Sequence, residues 1–143
     1  MYKICTFLFL IIAFTLGVNA QKIRSKNVPP AVWKAFQTEH PKVKETDWTR
    51  EGENYKVSFF DRKQDYMITY DGKGKLLLSE KLLWERDIPK NIRDYTRKTY
   101  PQYKIKEALI GKTFDNVISY EIKLNGVNLL FDETYNLVSA SNN

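Results

Sequence analysis

An α+β fold, with two tandem α-β-β-β-β repeats forming an antiparallel sheet and both helices on one face, is predicted by three features of this sequence of 143 residues. A helix cassette occurs twice, as "VPPAVWKAFQTEHP" (Val28 to Pro41) and "IPKNIRDYTRKTYP" (Ile88 to Pro101). Each cassette is followed by segments in which apolar and polar residues alternate. Helices followed by runs of consecutive strands indicate α+β rather than a parallel sheet. Finally, the two halves align along their whole length: Val28-Pro29 over Ile88-Pro89, Val32 over Ile92 and Pro41 over Pro101. Two copies are too few for a solenoid, so one pseudo-symmetric domain is expected.

The elements follow in order. Residues 1–20 read as a secretory signal peptide: Lys3 is a minimal basic region, Ile4 to Leu16 is almost wholly apolar, and "VNA" ends at a small residue. The apolar run falls short of the roughly 20 residues that span a bilayer. Cleavage after Ala20 leaves a single domain over 21–143, with repeat 1 at about 28–83 and repeat 2 at about 88–140, and no stable membrane span. In each cassette proline opens the helix, where its missing N–H costs nothing. Val28, Val32 and Phe36, then Ile88, Ile92 and Tyr95, form one apolar stripe per helix. Pro41 and Pro101 disfavour helical geometry before them, so His40 and Tyr100 are the expected helix ends.

Strands are written next. Tyr55, Val57 and Phe59 alternate with Lys56, Ser58 and Phe60; Tyr66, Ile68 and Tyr70 alternate with Met67 and Thr69. The second copy repeats this with Ile118, Tyr120, Ile122 and Leu124 against Ser119, Glu121 and Lys123. Shorter strands are predicted around Trp48, at Leu76 to Leu78, at Lys106 to Ile110 and at Leu137 to Ser139. Asn125-Gly126 is a hairpin signal in which both residues tolerate positive φ, and Glu51-Gly52 and Asp71-Gly72 mark further turns.

Composition narrows the function. The single cysteine, Cys5, lies in the signal segment, so the mature chain has no disulfide and no thiolate ligand. Losing Lys3 from 23 basic residues leaves 22 against 17 acidic, a formal charge of +5. The charges are dispersed. Their densest basic run, Arg93 to Lys106, suits the negative end of a helix dipole better than a nucleic acid, so no nucleic-acid partner is expected.

No catalytic constellation can be assembled. His40 is the only histidine, which leaves neither a triad nor a multi-histidine metal site. "DGKGK" (Asp71 to Lys75) has lysines where calcium ligands belong, and "GKT" (Gly111 to Thr113) lacks the earlier glycine of a phosphate loop; both are read as turns. The carboxylate pairs Asp61 with Asp65 and Glu45 with Asp47 could serve a hydrolase, but nothing marks either as desolvated. The expectation is a non-enzyme without cofactor or metal. Trp33, Trp48 and Trp84, with eight mature tyrosines, are expected mostly in helix–sheet packing. The opposite sheet face, Lys56, Ser58, Phe60, Met67, Thr69, Ser119, Glu121 and Lys123, mixes polar groups with aromatic and Met anchors and is the candidate partner-binding face.

This pattern resembles the β-lactamase-inhibitor-like, PepSY-like family of small secreted proteins. The residues that carry the resemblance are Val28-Pro29, Val32, Phe36, Pro41, Trp48, "YKVSF" and "YDGKGKL", with second-copy counterparts Ile88-Pro89, Ile92, Pro101, "YEIKL" and "FDETYNL". The resemblance implies a periplasmic or extracellular location and a binding or inhibitory role, since the namesake inhibitor grips its enzyme with its concave sheet face. It does not transfer β-lactamase inhibition, because the cysteine pairs of that inhibitor are absent here. The function expected is a secreted, non-enzymatic module that binds an envelope or secreted protein or peptide through the helix-free sheet face. The alternatives are a PepSY-type periplasmic inhibitor or ligand-sensing domain and, last, a carboxylate-dependent hydrolase.

Overall fold

The computed structural model describes residues 20–142, so the predicted signal peptide, with Lys3 and Cys5, lies outside the described residues except for Ala20. The elements are β1 (Ala20–Ile23), α1 (Pro30–Glu39), β2 (Asp47–Glu51), β3 (Asn54–Asp61), β4 (Gln64–Asp71) and β5 (Leu76–Leu82). Then come α2 (Lys90–Thr99), β6 (Glu107–Thr113), β7 (Ile118–Lys123), β8 (Val127–Asp132) and β9 (Leu137–Asn142). The strands form one nine-stranded sheet in chain order, each antiparallel to its neighbours. Each helix is followed by four strands, as the sequence predicts.

Two strand assignments need correction. β1 has no alternating apolar pattern and was not predicted; it forms because β2 offers an edge, with Ile23 opposite Trp48. β5 continues past Leu78 to Leu82 and bonds on both sides, to β4 through Leu76 to Lys81 and to β6 through Leu78 to Leu82. The second half of β5 therefore stands to β6 as β1 stands to β2. Polar Ser79 and Lys81 hide this strand from a search for apolar alternation, because they lie between the two helix-covered cores.

The helices obey their prolines. Pro29 and Pro89 occupy the position before α1 and α2, and Trp33 and Arg93 donate their backbone N–H to the Pro29 and Pro89 carbonyls, at 3.0 Å in both. His40 and Tyr100 close the helices, with nearly equal backbone angles (φ −126° in both) and N–H groups bonded to Phe36 and Thr96 carbonyls. Arg97 and Lys98 sit in the last turn of α2, where they offset its negative end.

Each helix covers its own cluster on the same sheet face. Val32 and Phe36 of α1 pack on Trp48, Val57, Phe59, Ile68 and Tyr70; Ile92 of α2 packs in a second cluster with Ala108, Ile122, Leu124, Leu129 and Phe131. Trp48 is buried and Trp33 packs at the rim of the first cluster, but Trp84 is exposed. Trp84 falls in the β5–α2 connection, at the position held by Arg24 in the first copy.

Turns are set by backbone needs. Asn125-Gly126 joins β7 to β8, yet only Gly126 takes positive φ (+89°). The β3–β4 hairpin places both Arg62 and Lys63 at positive φ (48° and 65°) without glycine. Two eight-residue strands in full register hold this turn in place against that local cost. Gly111 to Thr113, expected as a turn, is instead the end of β6, because Gly111 pairs with Glu80 on one side and Ser119 on the other.

Candidate functional site

Strand alternation divides the sheet. Since Val57 opposite Ile68 and Ala108 opposite Ile122 are core pairs, their sequence neighbours point away from the helices. The pairings Lys56 with Thr69, Ser58 with Met67 and Gly111 with Ser119 place all eight predicted residues on the helix-free face. They form two groups. Lys56, Ser58, Phe60, Met67 and Thr69 belong to β3 and β4; Ser119, Glu121 and Lys123 belong to β7. The strands between these groups, β5 and β6, contribute Leu78, Glu80, Leu82, Leu109, Gly111 and Thr113, which sequence reading missed. The alternation Leu78-Glu80-Leu82 carried the signal, but the strand was ended too early to use it.

The middle of this face is sheltered although no helix covers it. Leu109 (3% exposed) and Thr113 (7%) are buried, and so is Thr69 (1%), which leaves Thr69 no surface to offer a partner. At Gly111 a side chain would meet Leu78 Cδ1 and Ser119 Oγ, each at 3.4 Å. The strand neighbours thus crowd inward over a residue without a side chain. Phe60, by contrast, is 63% exposed at the margin, in the row with Asp65.

Charges converge on the sheltered middle. Lys56 pairs with Glu80 (3.4 Å), and Lys123 pairs with Glu107 (2.6 Å). Burial tends to lower the Lys123 pKa, but the hydrogen bond it donates to Glu107 and the nearby carboxylates outweigh it and raise the value above the usual lysine range. Glu121 lies opposite Leu109 and Leu130, and among the described residues no cation is within ion-pair distance of it. Burial among these leucines raises its pKa; Lys123 opposes the shift, and Glu80 and Glu107 add to it.

The face as a whole is acidic. By the strand register it holds Lys22, Lys56 and Lys123. Repeat 1 contributes Asp47, Glu51, Asp65 and Asp71, and repeat 2 contributes Glu80, Glu107, Glu121 and Asp132. Three lysines against these carboxylates give a formal charge of −5, and the remaining residues of 20–142 sum to +10.

The Asp61–Asp65 hydrolase pair is not assembled. Asp61 and Asp65 fall on opposite faces of the sheet; Asp61 lies 3.8 Å from Arg62, and Asp47 pairs with Lys22 at 2.9 Å. Among the described residues no group of three or more His, Cys, Asp or Glu could hold a metal ion. His40 packs on Phe36 and Phe59, with centroids 5.3 and 4.8 Å away, and serves the helix end. The Asp71 and Asp132 carboxylates are occupied by their own turns. Asp71 accepts N–H bonds from Lys73 and Lys75, and Asp132 accepts them from Thr134 and Asn136.

The fold has known counterparts. A candidate periplasmic protein from Bacteroides eggerthii superimposes with a TM-score of 0.74 at 10% identity, over 80% of this chain and 88% of that one. A DUF2874 family protein from Bacteroides ovatus gives 0.72 at 14%, over 81% and 89%. A BLIP-like protein from Bacteroides fragilis gives 0.66 at 16%, over 80% and 86%. No curated protein sequence matches the chain. The sequence profile of the β-lactamase-inhibitor-like, PepSY-like family matches residues 16–78 and again 80–139, the break falling inside β5, the strand the two repeats share. The chain therefore belongs to the β-lactamase-inhibitor-like, PepSY-like family, with two copies of its unit built into one sheet.

Proposed function

We propose that this chain is a non-enzymatic binding module of the bacterial periplasm that holds a protein or peptide on the helix-free face of its sheet. The observation that carries this reading is the make-up of that face. Apolar Phe60 and Met67 flank a sheltered middle in which charged side chains converge without helix cover. Aromatic and Met anchors beside desolvated polar groups are the usual energetic centre of a protein interface. The location rests on the signal-like leader and on the structural counterpart described as a candidate periplasmic protein. Inhibition of an enzyme by this face is the special case that the family description suggests.

The test is affinity capture from a Bacteroides envelope extract with the mature chain, in parallel with a Phe60→Ala/Met67→Ala variant. Specific partners retained by the wild type and lost by the variant support the face. Partners held equally by both place the binding surface elsewhere. Turnover of peptide, glycan or β-lactam substrates, abolished by Asp61→Asn or Asp65→Asn, would replace the binding reading with a hydrolytic one.

A further inference from the structure

We infer that the partner of the helix-free face is a basic one: a protein or peptide segment that presents a lysine or arginine to Glu121, with apolar residues beside it for Phe60 and Met67. The inference rests on the binding face proposed above and adds the chemistry of what binds there.

Charge segregation is the first support. A chain whose mature formal charge is +5 puts −5 on this face and +10 on everything else. A face opposite in sign to the rest of its own molecule attracts partners the remainder repels, so it selects the orientation of approach as well as the partner. An acidic partner would instead be drawn to the rest of the surface.

The second support is the pairing pattern in the sheltered middle. Glu80 has Lys56 and Glu107 has Lys123 at ion-pair distance, but Glu121, set between Leu109 and Leu130, forms no ion pair among the described residues, and Lys123 and Lys56 act on it only from further away. A partly desolvated carboxylate without a partner is unfavourable in the free protein, and an incoming cation relieves that cost. A guanidinium is the better fit, because its planar fork can bond two carboxylates at once.

The test is selection of a random displayed dodecapeptide library on the mature wild-type chain, with the Phe60→Ala/Met67→Ala variant as the subtraction surface. The expected result is enrichment of Lys- or Arg-containing peptides. Their affinity should fall about fivefold or more on Glu121→Gln, the scale of a half-exposed charge pair, and stay unchanged on Glu133→Gln, a turn carboxylate off the face. Because the protein is cationic overall, non-specific adhesion would enrich acidic peptides, so the background cannot imitate this outcome. Neutral or acidic peptides that still depend on Phe60 and Met67 would overturn the basic partner while keeping the face. Basic peptides indifferent to Glu121→Gln would overturn the role of Glu121. No enrichment over the double variant would remove both the face and its partner. The thermal midpoint of Glu121→Gln, expected to be equal to or above wild type because a partly desolvated charge is removed, confirms that the variant is folded.

Discussion

The two repeats cover the same sheet face with the same helix, yet they fill the space beneath it differently. Repeat 1 packs rings: Phe36 meets Trp48 edge-on at 5.5 Å and Phe59 at 5.2 Å, with Tyr70 below. At the corresponding positions repeat 2 has Thr96, Ala108, Leu124 and Phe131. Thr96 spends its hydroxyl on the Ile92 carbonyl one turn back, 2.8 Å away. The missing ring volume enters one residue earlier, as Tyr95, whose ring meets Phe131 edge-on at 5.6 Å. Repeat 1 cannot use that position. There Ala35 is pressed by the β4–β5 turn, where a side chain at Gly74 would lie 2.6 Å from the Ala31 carbonyl oxygen. Repeat 2 has Asn91, Tyr95 and Tyr135 at those three places, and Tyr135 turns to the Tyr120 ring at 5.5 Å. A fold can thus keep its backbone while moving its bulk, provided that helix, turn and core change together.

The comparison can be broken at its largest difference first. Phe36→Ala leaves a ring-sized hole in the first core and should cost about 3–5 kcal/mol. Thr96→Ala removes one methyl and one self-satisfied hydroxyl and should cost about 1 kcal/mol. Urea unfolding midpoints at equal m-values measure both, and equal losses would show the cores to be alike.

The turns come second. Gly74→Ala meets both positive φ (+84°) and the Ala31 backbone, and a loss of about 2 kcal/mol or more is expected. At the matching position Tyr135 already takes φ +69°, so Tyr135→Gly relieves the backbone while losing a ring contact and should change stability by less than about 1 kcal/mol.

A smaller effect is expected in the opposite direction. The Tyr70 hydroxyl is buried without a hydrogen-bond partner among the described residues, its pKa pushed up by burial and by Glu39, and repeat 2 has Phe131 in its place. Tyr70→Phe should raise stability by up to about 1 kcal/mol. A clear loss would mean that this hydroxyl is bonded in solution.

The smallest expected difference concerns acid. In repeat 1 the backbone N–H groups of Lys75 and Lys73 hold the Asp71 carboxyl below its ordinary range. In repeat 2 slight burial pushes Asp132 up, and bonds from Asn136 and Thr134 overcome it. A carboxyl whose folded pKa is depressed stabilises above its unfolded pKa, and the gain is lost as pH falls through the folded value. Stability should therefore decline into the acid range. Asp71→Asn and Asp132→Asn should each flatten that slope by a similar small amount, since both carboxylates cap a turn of the same shape.

Much of the fold was legible because its signals are local. Prolines fixed the helix starts and ends, and alternation at Tyr55 to Phe60 and at Ile118 to Leu124 assigned each side chain to a face. The candidate face was half legible for the same reason: its outer groups sit on strands with strong alternation. Its middle was not, because Ser79 and Lys81 occupy the strip between the two cores and weaken the pattern of β5.

The sequence by itself determined the repeat, the helix limits, the hairpins and the side chains available to each face, since these depend on periods of two and 3.6 and on proline and glycine. Only the tertiary structure decided that β5 belongs to both repeats, that β1 exists at all, and that Glu80, Gly111 and Ser119 fall in one row. Those facts depend on which strand finds an unpaired edge and on a register between residues far apart in the chain. Backbone hydrogen bonds across the sheet set that register, and no stretch of local sequence encodes it.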